Sequence, residues 1–171
     1  MALKIHADEF EPLGGTGLAV DMGAASADHL VATTDEEIKK LGDSDTVAVS
    51  LPPTPFGLGH QHYTRAQAFL KANAAIAIAT DCNPGTAWCE SLQLAIAIAN
   101  RFLRLTQAQT LACATVNSAF AIGRGGHVGT LTKGALGDVV IWAVDDYRQI
   151  GYRFGVNLAD RVIKRGQLLS V

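Results

Sequence analysis

A chain of 171 residues, 49% of them hydrophobic, is long enough to bury one substantial core. Its net charge of -2 and the lack of any cluster of Lys or Arg exclude an electrostatic footprint for nucleic acid or an anionic membrane surface. No apolar run approaches the roughly 20 residues that span a bilayer, so the reading is one soluble globular unit with a small appendage, acting on a small molecule.

Leu3-Lys4-Ile5 alternates as a strand and runs directly into His6, and Leu13 to Met22 reads as an Ala/Gly-rich helix. The run Gly23 to Ala27 predicts a second strand ending in Asp28-His29. Thr34 caps a helix through Leu41 whose first turn carries Asp35, Glu36 and Glu37, the charge that the helix dipole favours there. Thr46 to Leu51 is a β-branched strand stopped by Pro52, Pro53 and Pro55. His60 to Ala72 reads as a helix, Ala74 to Thr80 as a buried strand closed by Asp81, and Cys82-Asn83-Pro84-Gly85-Thr86 as a turn.

Trp88 to Leu105, apolar all round, predicts a largely buried helix, and Thr106 caps another that runs to about Ile122, where Gly123 to Gly126 breaks it. The tail changes character: Gly129 to Trp142 and Arg161 to Leu169 read as short strands rich in Val and Ile. The chain thus divides into a first unit at 1–126 and a small β segment at 127–171.

Strand and helix alternate at spacings of roughly 20 to 30 residues, the pattern of consecutive parallel βα units. A doubly wound open sheet fits the same count, but no glycine-rich phosphate loop follows the first strand. The strand ends favour a piece of a (β/α)8 barrel, where catalytic residues converge from the C-terminal ends of several strands. His6, His29 and Asp81 each stand at such an end.

Imidazole and carboxylate suit zinc or ferrous iron, which makes His6 and Asp81 candidate ligands of a metal that activates water. Glu9, in the next turn of chain after His6, can carry the proton to a leaving nitrogen, and His29 can polarise a carbonyl or assist that base. Each residue also has a structural reading: His6 and His29 as hydrogen-bonded strand ends, Asp81 as a turn cap, Glu9 as a solvated loop acid, and Asn83 to Thr86 as turn chemistry. His60 and His62 flank Gln61 ahead of a predicted helix, where alternate residues face different ways, so they read as surface residues. His127 reads as exposed, and Trp88 and Trp142 as packing residues. Cys82, Cys89 and Cys113 form neither an even disulfide set nor a CxxC pair, which suits a reducing compartment and small buried residues. Met1-Ala2-Leu3-Lys4 has none of the features of a signal peptide, so the expected location is cytoplasmic.

Three runs carry a family signature: His6-Ala7-Asp8-Glu9-Phe10, Ser26-Ala27-Asp28-His29 and, most specifically, Ala77-Ile78-Ala79-Thr80-Asp81-Cys82-Asn83-Pro84-Gly85-Thr86. Together they resemble the imidazolonepropionases of the amidohydrolase superfamily. Gly129-Thr130-Leu131, Gly134, Gly137-Asp138 and Val140-Ile141-Trp142 resemble the tail with which amidohydrolases return to a small β-sandwich.

The resemblance implies an α/β fold in which this chain is the C-terminal half of a metal-dependent (β/α)8 barrel, strands five to eight. It implies that His6 and Asp81 bind zinc or iron, that Glu9, His29 and Asp81 are catalytic, and that Glu9, Asn83, Gly85 and Thr86 contact substrate. The implied reaction is hydrolysis of 4-imidazolone-5-propanoate to N-formimino-L-glutamate in histidine degradation. A deaminase acting on a cyclic amidine, or a non-catalytic half-barrel module, would use the same scaffold. The family's first barrel strand supplies an HxH metal pair with no counterpart here, since His60-Gln61-His62 lies between the strands matching seven and eight. With Met1 directly before a strand, the expectation is a fragment or split subunit that needs a complementary N-terminal half or self-associates.

Overall fold

The computed structural model describes residues 2–169; Met1, and Ser170 and Val171 at the end of the predicted β segment, lie outside the described residues. Four short strands, β1 (Lys4–Ala7), β2 (Ser26–His29), β3 (Val47–Ser50) and β4 (Ile76–Ile78), form a parallel sheet in chain order. The connections carry helices: α1 (Gly15–Asp21), α2 (Asp35–Gly42), and then α3 (Pro53–Gly57) and α4 (Ala66–Lys71). The fold is α/β with a parallel sheet.

Register sorts the side chains into two faces. Ile5, Ala27, Ala48 and Ile76 stand in one row; the last three belong to the larger apolar cluster with Leu41 and Phe69 from the helices, and Ile5 packs against it. Complete burial of a side chain such as Phe69 is worth about 2 kcal/mol. The opposite row holds His6, Asp28, Val49 and Ala77, and here the apolar content is small: Val47, Val49, Leu51, Ala77 and Ala121. Beside them Ser26 donates to Asp28 at 2.6 Å and Lys4 Nζ lies 3.6 Å from the same carboxylate. One face is therefore a helix-covered core, and the other carries the ionisable residues.

After β4 come α5 (Leu92–Phe102), α6 (Gln107–Ala112), a π-helical turn over Cys113–Asn117, and α7 (Ser118–Ala121). The π turn has an evident use, because the Asn117 amide donates to the Ile76 carbonyl at 2.7 Å and Ser118 Oγ to that of Ile78 at 3.1 Å. These carbonyls point away from β3, so side chains satisfy the backbone edge of β4. The tail forms a separate antiparallel sheet of β5 (Val139–Trp142), β6 (Ala159–Lys164) and β7 (Gln167–Leu169), with the short helix α8 (Gln149–Tyr152) between the first two. Gln93 ties α5 to it, donating to the Arg153 carbonyl at 2.9 Å and accepting from the Leu158 amide at 3.1 Å.

Several predicted elements change. The helix expected from His60 begins only at Ala66, because Arg65 precedes it with non-helical backbone, and the proline run after β3 itself forms α3, with prolines tolerated in its first turn. The helix expected from Trp88 begins at Leu92, where Ser91 Oγ accepts from the Leu94 amide. Trp88 is 75% exposed and is no packing residue, whereas Trp142 packs against the main core. Only Val139–Trp142 of the Gly129 to Trp142 run is strand. Of the cysteines Cys113 alone is buried; Cys82 is exposed and Cys89 half-buried.

Candidate active site at the strand ends

Asp8 builds the first wall of the site. At φ 48 it turns the chain out of β1, and its carboxylate accepts from the amides of Leu13 at 3.0 Å, Gly15 at 3.2 Å and Thr16 at 3.0 Å, and from the Thr16 hydroxyl at 2.5 Å. Such an acceptor satisfies free N–H groups at the start of α1 and fixes the loop that carries Glu9. Burial works to raise the Asp8 pKa, but the Thr16 hydroxyl and the amides of Thr16, Gly15 and Leu13 outweigh it and hold the carboxyl below 3.8.

His29 is the hub. Strand register places it opposite Ala7, on the helix side, yet left-handed backbone at His29 (φ 80) and Leu30 (φ 61) breaks the alternation where β2 ends. The ring is 3% exposed, with Nε2 at 3.2 Å from His6 Nδ1 and Nδ1 at 3.6 Å from Glu9 Oε1. Backbone of this kind costs about 1–3 kcal/mol and is held only where the surroundings over-determine it. Part of that support is visible: Thr64 donates to the His29 carbonyl at 2.7 Å and accepts from Ser50 Oγ at 2.8 Å. Burial pushes the His29 pKa below 6.5, opposed by the carboxylates of Glu9, Asp81 and Asp28 and reinforced by His6. Burial thus favours the neutral ring.

A neutral His29 has one N–H, and the Glu9 carboxylate favours it on Nδ1. Nε2 then accepts from His6 Nδ1–H, which leaves the lone pair of His6 on Nε2. That is the tautomer a metal ligand requires.

Asp81 stands just beyond β4 at φ 52, its Oδ2 accepting from Thr54 at 2.7 Å. The structure brings His6, Glu9 and Asp81 into the electrostatic surroundings of His29. Asn83 is committed locally: Oδ1 accepts from the Gly85 and Thr86 amides at 2.8 and 2.9 Å, while Nδ2 donates to the Asp81 carbonyl at 2.7 Å and to Thr86 Oγ1 at 3.2 Å. Asn83, Gly85 and Thr86 thus form a rigid turn beside the site. His60 and His62 are exposed and, with Glu9 and Phe10, line a cleft of about 450 Å³. A larger cleft of about 610 Å³ near Trp88 and Trp142 contains none of the strand-end residues. Sequence reasoning missed Asp8, Thr54 and Thr64; only Asp8 left a signal, an acid shortly ahead of Gly14-Gly15-Thr16 at a helix start.

Ionisable side chains at the ends of successive parallel strands are an arrangement with relatives, and the pattern of the amidohydrolase family matches residues 4–169. The chain belongs to the amidohydrolase family. Among curated members it is 56% identical over 167 residues to the imidazolonepropionase of Herpetosiphon aurantiacus, covering 98% of this chain and 39% of that protein. It is 47% identical over 165 residues to that of Bacillus velezensis, covering 96% and 39%. The chain therefore spans about two fifths of the length of these relatives.

Two solved amidohydrolase-like structures share the fold at 19% identity and a TM-score of 0.80, each aligned over 98% of this chain. One is an adenosine deaminase from Xanthomonas campestris with bound zinc, of which 45% is covered. The other is an atrazine chlorohydrolase from Arthrobacter aurescens complexed with zinc and atraton, of which 44% is covered. The donors here fit such an ion in kind, an imidazole with a free Nε2 and a carboxylate with a free oxygen. They fall short in number: among the described residues no group of three His, Cys, Asp or Glu side chains converges closely enough to hold a metal.

Proposed function

We propose that this chain is the C-terminal part of an imidazolonepropionase, strands five to eight of a (β/α)8 barrel over residues 1–126 with a β-sandwich segment over 127–171. The observation that carries this reading is the His29–His6 ring contact at 3.2 Å with Glu9 at 3.6 Å from the other nitrogen of His29, in a chain 56% identical to an imidazolonepropionase. The substrate is 4-imidazolone-5-propanoate, the product N-formimino-L-glutamate and the setting cytoplasmic, in keeping with three free cysteines.

In hydrolysis water adds across the ring C–N bond: its oxygen joins the carbonyl carbon, the bond to nitrogen breaks, and the nitrogen takes a proton. Glu9 removes the proton from the water and returns it to the nitrogen. His29, kept neutral by burial, orients Glu9 and holds His6 in the tautomer with a free Nε2. His6 and Asp81 would hold one zinc or iron ion together with donors from the rest of the protein. When bound, that ion supplies Lewis acidity toward the carbonyl and the water. Asn83, Gly85 and Thr86 contact the substrate from the turn next to Asp81.

The test is metal content and ring-opening activity of this chain, alone and mixed with the complementary N-terminal half. The expected result is activity, and about one metal per complex, only after mixing. A folded complex that neither binds metal nor opens the ring would sink the proposal and leave a non-catalytic module; turnover of a cyclic amidine instead would make it a deaminase.

A further inference from the structure

Thr54 is 1% exposed and sits between Pro53 and Pro55 in α3, whose constrained backbone leaves it little freedom. Its hydroxyl donates to Asp81 Oδ2 at 2.7 Å, and among the described residues Oδ1 has no hydrogen-bond donor. The same short helix is pressed against the turn after Asp81: a Cβ on Gly57 would lie 2.5 Å from the Thr86 carbonyl oxygen. On the other side, Asn83 Nδ2 grips the Asp81 carbonyl. Backbone and side chain of Asp81 are thus held independently, by the turn and by Thr54. An aspartate at φ 52 needs both, because a free carboxylate on left-handed backbone would search for its own local amides.

We infer that Thr54 is a positioning residue that occupies one oxygen of Asp81 and leaves Oδ1 alone to face the reacting centre; this rests on the reading of Asp81 as a working carboxylate. A hydroxyl in this place restricts carboxylate rotation and selects binding through one oxygen. The sequence hides it, since Thr54 precedes Asp81 by a whole helix and strand.

The test uses the full chain assembled with its complementary half. Thr54→Val keeps the shape and removes the donor; Thr54→Ser keeps the donor. Zinc affinity is read by competition with a chromophoric chelator, alongside kcat, KM and melting temperature. The expected result is a roughly ten- to hundredfold loss of zinc affinity and a lower kcat in T54V, KM within about twofold, and recovery of both in T54S. If T54V does not fold, T54A makes the same comparison. A variant lacking the hydroxyl that melts earlier but keeps zinc affinity and kcat would show a purely structural residue and overturn the inference. D81A separates the two claims: retained zinc and activity in D81A would remove the role of Asp81 itself, whereas their loss in D81A and retention in T54V would remove only the role of Thr54.

Discussion

The Asp8 carboxylate collects four hydrogen bonds from Leu13 and the start of α1, and Glu9 follows it in the chain, so the acid proposed to carry the proton takes its position from the buried acid before it. Asp8→Asn replaces one carboxylate oxygen by an NH₂ facing donors. It should cost about 2 kcal/mol, read as a lower urea midpoint. The pH dependence follows from the lowered pKa. Between the folded value and 3.8 the folded state binds fewer protons than the unfolded one. The stabilisation is therefore present above pH 3.8 and lost as pH falls through the folded value. Acid titration of the unfolding free energy should show a shallower loss in the Asn variant; an unchanged acid limb would mean that other carboxylates set it. Asp8 was partly legible, as an acid ahead of a Gly-Gly-Thr helix start. Thr64 was not, because its partners Ser50 and the His29 carbonyl meet it only in three dimensions.

Elements with local signals form as their residues dictate. Thr34 and Glu37 make the reciprocal cap of α2, and Thr106 and Gln109 make that of α6. Packing between elements leaves no such signal. Gly42 closes α2, and a Cβ there would lie 2.0 Å from the Ala72 carbonyl oxygen, just beyond α4. Helix propensity alone makes Gly42→Ala stabilising by about 0.5–1 kcal/mol. Backbone crowding reverses the sign, and a loss of about 1–3 kcal/mol is expected. Thermal melting decides between the two: a fall in Tm follows from the close approach of Gly42 to the chain after α4, and a rise would mean that the elements part at little cost. The π turn is of the same kind, since Asn117 and Ser118 answer carbonyls of β4 that no sequence pattern exposes.

Across the whole molecule the sheet has two ends. The outer edge of β4 is met by Asn117 and Ser118, while β1 pairs with no strand on its outer side among the described residues. An open parallel edge and a lightly filled interior face are sites of association. If the proposed half-barrel reading holds, the chain alone should bind an apolar dye and sediment above monomer mass, and addition of the proposed complementary half should suppress the dye signal. A dye-silent monomer at micromolar concentration would mean that the interior face is closed by the chain itself.

The sequence by itself determined the family and the order of the four parallel strands and the main helices that follow them, because these depend on motifs, caps and apolar periods that lie within a few residues of one another. It also marked His6, Glu9, His29 and Asp81 as the residues to watch, each being an ionisable group at or just past a strand end. Only the tertiary structure decided how they are held. The ring contact of His29 with His6 and the grip of Thr54 on Asp81 depend on register across parallel strands and on left-handed backbone at His29 and Asp81. Such contacts join residues far apart in the chain, so no local pattern specifies them.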